Sequence, residues 1–477
     1  MNVSESHSME QLLLKAGWQE AQIADEADLI IINTCSVRIT AENRVLGRLA
    51  HYSALKKQKH FIVLLIGCMA ERLYNDIQKT HPLIDYVIGM FERHLLPQVF
   101  DEIQARLTVK QMESPRNSAI ATLESMVAST QVNEDVPPKY ELTHTSVQDG
   151  REWKGNAIYT FAPLSYHEGA FQSFVPIMNG CNNFCTYCIV PYVRGREVSR
   201  SPDSILNEIA LLGEKGVKEI TLLGQNVNSY RGKRKDGKTI DFPTLLYLID
   251  EVASQIDSIR WIRFISSHPK DMSESLIDAV ATLKRMCKAI HLPCQHGSND
   301  ILHKMNRRYT VEHYLSKIEL LRKKIPNVAI TSDILIGFPG ETSEDVEMTL
   351  ELMRKVRFDN AFMYHYNPRE GTPAYDLPNR IDEKVKIERL QRIIDLQLEI
   401  TREKMLMQVG SEVVLLVEST SRNNKAEFFG HTERGEMAVI EESTSTSQKL
   451  IGNFVHVKLN ELKGKTFRCS IVPDPLV

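Results

Sequence analysis

SFVPIMNGCNNFCTYCIVPYVRG, residues Ser173–Gly195, runs from an apolar β-forming stretch straight into Cys181, Cys185 and Cys188. Three thiols on one short loop, in a chain with eight cysteines altogether, are hard to explain as packing and ask for a soft metal or a cluster. A structural zinc wants four ligands, commonly in paired C-x2-C hooks; the spacing here is C-x3-C-x2-C, and no cysteine or histidine pair follows at finger distance. A cubane iron–sulfur cluster normally takes four thiolates. Three leave one iron open, as in a catalytic centre rather than a closed structural one. The non-enzymatic alternative is an RNA-binding protein whose cysteines hold zinc.

The same stretch opens a regular β/α alternation over residues 173–405. Its strand candidates are SFVPIM, KEITLLG, IRWIRFIS, AIHLP, VAITSDILIGF and DNAFMYHY; helical patterns such as DSILNEIALLGEK lie between them, and EKVKIERLQRIIDLQLEITREKML closes the series. Six sequential units predict an incomplete (β/α)6 barrel, with functional residues at the carboxyl ends of the strands. Gln225 and Asn226 end the second strand, and Ser266, Ser267 and His268 end the third. Of these, Gln225, Asn226 and Ser267 are the candidates for cofactor contacts. Arg194 and Arg196, just past the cysteine loop, suit a cofactor carboxylate, an RNA phosphate or a plain surface position. Gly337–Glu341, GFPGE, matches a phosphate loop poorly and reads as a tight strand-to-helix turn capped by Thr342 or Ser343. Cys287 and Cys469 read as packing residues, and His296 and His365 as ordinary satisfied histidines.

Upstream, residues 1–107 alternate helical patterns (MEQLLLKAG, ENRVLGRLAHYSALKK) with continuous apolar strands (ADLIIINTC, HFIVLLIGC). That pattern predicts a doubly wound α/β domain with a parallel sheet covered on both faces. Each strand ends in a cysteine, Cys35 and Cys68, at the rim where open parallel sheets bind ligands; the alternative is a pair of buried packing thiols. MNVSESHSMEQ begins at a helix cap, with Ser4 or Ser6 as N-cap candidates and no strand before it, so the natural reading frame is expected to begin upstream of Met1. Residues 108–172 are polar, Ser/Thr-rich and broken by Pro137 and Pro138, which reads as an insert or linker. Residues 408–473 hold SEVVLLVEST, KAEFFGH, MAVIEES, NFVHVKL and KTFRCSIV, the short strands of a small β-barrel.

At 42% apolar and 25% charged over 477 residues, the chain is globular material for several domains. No basic-then-apolar leader follows Met1, and no apolar run nears the roughly 18 residues of a membrane span. With scattered cysteines, this predicts a soluble protein of a reducing compartment, the cytoplasm. A net charge of -3 gives no global pull on polyanions. The local run Arg231, Lys233, Arg234, Lys235 and Lys238 reads first as a solvated loop.

GCNNFCTYCIVPYVRGREVSRSP resembles the cluster loop of radical S-adenosylmethionine enzymes. The domain order resembles the methylthiotransferases among them, which join an N-terminal domain, a radical barrel and a C-terminal TRAM domain. NTCSVR, GCMAER, LLGQNVNSY, ISSHP, HLPCQHGSNDIL, ILIGFPGET and YNPREGTPA carry the likeness over nearly the whole chain except residues 108–172. GQNVNSY and NPREGTPA are most similar to the branch that acts on N6-dimethylallyladenosine in tRNA. Branches acting on threonylcarbamoyl-adenosine or on a ribosomal-protein aspartate are the alternatives.

The resemblance implies that Cys181, Cys185 and Cys188 hold a 4Fe-4S cluster whose open iron chelates S-adenosylmethionine. It implies that Cys35 and Cys68 are two of three ligands of an auxiliary 4Fe-4S cluster that supplies sulfur to carbon 2 of the adenine. No side chain is assigned as a catalytic acid or base. Family members carry the third ligand in a GCQMN stretch ending the first strand, and this chain begins at that Met-Asn, so the expected strand and the expected cysteine are one omission. The implied partners are tRNA and a reducing donor such as flavodoxin or ferredoxin, with a monomer that meets no membrane. Arg422, Lys425, Lys458 and Lys463 of the terminal barrel are the candidates for RNA phosphates.

Overall fold

The computed structural model describes residues 1–36, 39–109, 161, 164, 166–421, 424–441 and 450–473. Arg422 and most of the stretch 108–172 lie outside the described residues. The chain divides into two units, one of Met1–Tyr166, Asn179–Val198 and Asn367–Asp376, the other of His167–Met178, Ser199–Tyr366 and Leu377–Val477.

The first unit begins α1 (Asn2–Lys15), β1 (Leu29–Thr34), α2 (Ile39–Leu55), β2 (Ile62–Gly67), α3 (Cys68–Arg72), α4 (Tyr74–Thr80), β3 (Tyr86–Ile88) and α5 (Leu96–Val109). The strands form a parallel sheet in the order β1-β2-β3. Strand side chains alternate between faces. Ile30, Ile32, Val63 and Leu65 therefore pack on Val45, Leu49 and Tyr52 of α2 and Ile77 of α4. Ile62, Leu64 and Ile66 turn the other way, onto Met9 of α1 and Val99, Phe100 and Ile103 of α5. Burial on both faces is why HFIVLLIG reads as an unbroken apolar run. One expectation is corrected. Neither Ser4 nor Ser6 caps α1, because the helix already starts at Asn2, where Asn2 Nδ2 donates to the Thr34 carbonyl and ties the first turn to β1. Helix α5 ends at Val109.

The same unit takes up the cysteine loop with α6 (Val190–Arg194), a helix of one turn. Short strands β5 (Met178–Asn179) and β6 (Val198–Ser199) bracket that loop in the chain, after β4 (Gln172–Pro176).

In the second unit, β4 continues to α7 (Pro202–Glu214), β7 (Glu219–Leu223), the hairpin β8 (Arg231–Lys233) and β9 (Thr239–Asp241), α8 (Phe242–Ser254) and β10 (Trp261–Phe264). Then come α9 (Glu274–Thr282), β11 (Ala289–His291), α10 (Asn299–Lys304), α11 (Val311–Lys324), β12 (Ala329–Ile336), α12 (Ser343–Val356), β13 (Asn360–His365) and α13 (Glu383–Leu406). The sheets β10-β7-β4 and β11-β12-β13 are parallel and are joined through the Ile262–Met286 bridge. Neighbours thus follow chain order, and among the described residues β4 does not pair with β13, which leaves the six-stranded barrel open. The GFPGE segment is a turn: Gly337 and Gly340 have positive φ, and Thr342 forms a capping box with Asp345 at the start of α12. Glu341 Oε2 accepts from the Gly337 N–H (2.7 Å) and from the His296 imidazole (3.1 Å), while Arg389 donates to its other oxygen (2.9 Å), the carboxylate and the imidazole both out of contact with solvent. His296 is thereby satisfied in the core.

Strands β14 (Glu412–Thr420), β15 (Phe428–Thr432), β16 (Met437–Ile440), β17 (Phe454–Lys463) and β18 (Thr466–Ile471) close into a barrel in the order β14-β15-β16-β18-β17. Leu415, Val417, Phe428, Val457, Phe467 and Cys469 fill it, so Cys469 is a packing residue. His431 on β15 joins it to the (β/α) barrel, lying 2.8 Å from Glu219 on β7 and 2.7 Å from Glu418. Arg263 adds hydrogen bonds to the Thr432 and Glu433 carbonyls.

Candidate metal centre

Two glycines turn the cysteine loop. Gly180 has φ of 80°, and a Cβ there would stand 2.1 Å from the Arg196 carbonyl oxygen; Gly195, at φ of 75°, closes the far end. The Cys181 N–H donates to the Gly195 carbonyl (3.1 Å), and the Asn182 and Glu197 side chains each accept from the other's backbone N–H. Phe184 takes a left-handed φ of 48°, unusual for an aromatic, with the Arg196 guanidinium 5.0 Å from its ring centre. These contacts hold three thiols on one tight turn, Cys185 buried and Cys181 and Cys188 half-buried. Burial pushes the Cys181 thiol up to about 11, although Asn183 donates to its sulfur. Such a thiol gives up its proton to a metal rather than to neutral water. The NPREGTPA segment packs here too, through the Ala374 N–H on the Thr186 carbonyl at 2.8 Å.

Cys35 and Cys68 come together for a different reason. Their strands pair in register, Thr34 opposite Gly67, so the next residues leave adjacent strand ends. Thr34 Oγ1 donates to the Ile66 carbonyl (2.6 Å) and accepts from the Met69 and Ala70 N–H groups, fixing the start of α3 where Cys68 sits. Cys68 is buried, and burial pushes its thiol up. It packs with Met90 against Ile189 and Val193, the residues that follow Cys188. Within this unit Cys68 therefore shares one apolar cluster with the segment that follows Cys188.

Arg194 is only 5% exposed, which rules out the surface position. Its Nη1 donates to Glu5 (3.0 Å) and to Asn179 Oδ1 (3.0 Å), and its Nη2 to Asn2 Oδ1 (3.2 Å). Arg93 reaches the same Glu5 carboxylate at 2.9 Å. Burial pushes the Glu5 carboxyl up, but the two arginines outweigh it and hold the group down at about 2. Glu5, Asn2 and Asn179 carried no signal in the sequence, since their partner lies up to 192 residues away.

In the second unit, the strand-end residues are unusually rich in unanswered polar atoms. Asn226 is 1% exposed and donates Nδ2 to Asp271 (2.8 Å), yet its Oδ1 has no partner among the described residues. Ser267 Oγ, both amide atoms of Asn228, and His268 Nε2 are likewise buried without one. Ser266 bends the chain at a φ of 73°. His268 accepts the Lys270 N–H on Nδ1, which puts the ring proton on Nε2; burial, with Arg307, Lys270 and Arg308 nearby, holds the imidazole far below its ordinary pKa, hence neutral. Buried orphan atoms cost stability, so a set of them at strand ends marks a ligand site. Gln225 beside them is half-buried.

Among the described residues, no three Cys, His, Asp or Glu side chains gather tightly enough for a single metal ion. A cubane instead takes one thiolate per iron, so its ligands stand apart. The thiol donors of the first unit suit an iron–sulfur cluster, and the orphan polar atoms of the second unit, taken by themselves, suit a polar organic ligand.

Fold and thiol loop together define a radical S-adenosylmethionine enzyme. The Radical SAM superfamily model matches residues 175–353, the TRAM domain model residues 407–472, and that of Uncharacterized protein family UPF0004 residues 1–89. A solved radical S-adenosylmethionine methyltransferase, TsrM from Kitasatospora setae, shares the fold with a TM-score of 0.53 at 16% identity, over 77% of this chain and 70% of that one. The tRNA-2-methylthio-N(6)-dimethylallyladenosine synthase of Treponema denticola is 59% identical over 99% of this chain and 97% of its own length. Those of Treponema pallidum and Bacteroides fragilis are 52% and 39% identical over 99% and 98% of the chain, covering 97% and 93% of their own lengths. The chain belongs to the family of tRNA-2-methylthio-N6-dimethylallyladenosine synthases.

Proposed function

We propose that this protein methylthiolates tRNA, converting N6-dimethylallyladenosine on the 3′ side of the anticodon to 2-methylthio-N6-dimethylallyladenosine. The observation that carries the reading is that similarity to the named synthases runs through both cysteine-bearing regions and the terminal barrel, not the radical domain alone. Cys181, Cys185 and Cys188 would hold one 4Fe-4S cluster, and Cys35 and Cys68 would supply two ligands of the auxiliary one. When bound, these groups supply the electron that splits S-adenosylmethionine and the sulfur that enters carbon 2 of the adenine.

The chain's own residues bind and orient. Gly180, Phe184 and the Asn182–Glu197 clasp hold the loop in its turn. Gln225, Asn226 and Ser267 are assigned to the polar groups of S-adenosylmethionine, with Asn226 Oδ1 as acceptor. An anticodon loop offers unstacked bases at low cost, which suits an enzyme that must reach a ring carbon. Exposed Lys425, Lys458 and Lys463 would contact phosphates. Among the described residues no helix is long and apolar enough to cross a membrane, and the reading places a monomer in the cytoplasm, reduced by a flavodoxin- or ferredoxin-type donor.

Nucleoside mass spectrometry of tRNA from a deletion strain tests the reading. Loss of 2-methylthio-N6-dimethylallyladenosine with accumulation of N6-dimethylallyladenosine is expected. An unchanged nucleoside profile overturns it.

A further inference from the structure

We infer that the single turn Pro269–Asp271 sets the hydrogen-bonding polarity of the ligand site, with Asp271 as the positioning residue for the Asn226 amide and His268 as a donor to the cofactor. The inference deepens the proposed function and rests on its assignment of Asn226 to S-adenosylmethionine. All the residues concerned belong to the second unit.

The turn follows β10 and is anchored on both sides: Pro269 is buried, Met272 beyond it is 1% exposed, and the Asp271 N–H donates to the His268 carbonyl at 2.9 Å. The Val227 N–H donates to the Ser266 carbonyl at 3.0 Å, which ties the end of β7 to the end of β10. Asp271 divides its carboxylate, one oxygen accepting from Asn226 Nδ2 at 2.8 Å and the other lying 3.4 Å from Lys270 Nζ. An amide can turn either end towards a neighbour, but a carboxylate only accepts. Asp271 therefore takes the NH2 end, and Asn226 Oδ1 is left as a buried acceptor with no partner among the described residues.

The same turn settles the imidazole. The Lys270 N–H donates to His268 Nδ1 at 3.3 Å, so the neutral ring carries its proton on Nε2, a buried donor that is likewise unanswered. The ring packs edge-on against Tyr309 with 5.6 Å between centres, which holds its plane. One turn thus dictates an acceptor on Asn226 and a donor on His268. Both are costly while unpaired, and a ligand that brings an N–H or O–H together with a lone pair relieves the cost. S-adenosylmethionine brings both kinds of group: its ammonium and ribose hydroxyls donate, and its carboxylate and adenine nitrogens accept.

The test measures equilibrium binding of S-adenosylmethionine, not turnover, on the full chain reconstituted anaerobically with iron and sulfide. Asp271→Asn frees the Asn226 amide to face either way, and His268→Phe keeps a ring while removing the donor. Each is expected to raise the Kd for S-adenosylmethionine about tenfold, the worth of one hydrogen bond, with tRNA affinity unchanged. Asn226→Asp sets two carboxylates against each other and should bind more weakly still. Combined with Asp271→Asn it should recover most of the affinity, because the new amide donates to the new carboxylate and leaves an acceptor for the ligand. Chemical denaturation runs alongside, since a purely structural role moves the unfolding midpoint and leaves the Kd of the folded protein alone. Wild-type Kd in Asp271→Asn overturns the positioning role, and in His268→Phe the donor role. A loss confined to tRNA binding overturns both, by placing an RNA base at these atoms. Should Asp271→Asn alone fail to fold, the double variant decides, and binding no better than that of Asn226→Asp overturns the positioning role. A protein that binds S-adenosylmethionine yet makes no methylthiolated tRNA overturns the functional reading alone.

Discussion

Thr34 and Gly67 face each other at the carboxyl ends of β1 and β2, and that single register pair sets Cys35 and Cys68 side by side. The Thr34 hydroxyl then anchors α3 through two backbone N–H groups. Thr34→Val keeps the shape and removes the oxygen. Leaving buried donors unpaired costs about 1–3 kcal/mol each, so a loss of about 2 kcal/mol or more is expected in chemical denaturation, with weaker iron retention at Cys68. Wild-type stability would contradict the anchoring role.

Gly180→Ala tests the loop from its other end. A methyl group there meets the Arg196 carbonyl at 2.1 Å, at a backbone angle that side chains avoid. The loop must open to admit it. Anaerobic reconstitution of this variant should show iron lost from the three-cysteine site, and 5′-deoxyadenosine formation should fall with it. Full iron occupancy would show that the turn is dispensable.

Glu341→Gln breaks a buried knot. The carboxylate serves His296, Arg389 and the Gly337 N–H without touching solvent. Removing one partner of a buried ion pair costs about 3–5 kcal/mol. Thermal unfolding should shift accordingly, and Arg389→Met combined with Glu341→Gln should cost less than the sum of the two singles.

His431 makes the seating of the terminal barrel pH-sensitive. Burial lowers the pKa of its imidazole, but hydrogen bonds to Glu219 and Glu418 outweigh that and raise it above the ordinary value. A group raised on folding contributes fully below its unfolded pKa, about 6.5, and its contribution fades as pH climbs through the raised folded value. Stability should therefore fall as pH rises from about 6.5 through the raised folded value. His431→Gln should flatten that decline in pH-dependent denaturation; an unaltered profile would refute the assignment.

The terminal barrel's lysines should act through charge alone. Changing Lys425, Lys458 and Lys463 to Gln is expected to weaken tRNA binding and to lower the salt slope by about one for each phosphate that is no longer neutralised. An unaltered slope would place the RNA elsewhere.

Much of this was legible in the residues. Continuous apolar runs announced strands buried on both faces, and the six strand segments and the five of the small barrel all form where their patterns fall. Cys35 and Cys68 were legible as strand ends because register follows from pattern. Arg194 was not, since local sequence cannot reveal that its carboxylate sits in the first helix, 189 residues earlier. The start of α1 escapes the sequence for a related reason: Ser4 and Ser6 look like caps, but Asn2, the first residue of the helix, ties its first turn to Thr34 and Arg194 far along the chain. Orphaned atoms at Asn226, Ser267 and His268 are likewise a property of surroundings, not of composition.

The unit that bears both thiol sets is assembled from three stretches, the last of them Asn367–Asp376. On a ribosome, that lobe stays unfinished until some three-quarters of the polypeptide has been made, with Thr186 waiting for Ala374. Iron delivery to a nascent chain would meet flexible thiols without their closing strap. The full set of contacts around the thiols thus requires synthesis beyond Asp376, well after the cysteines themselves have emerged.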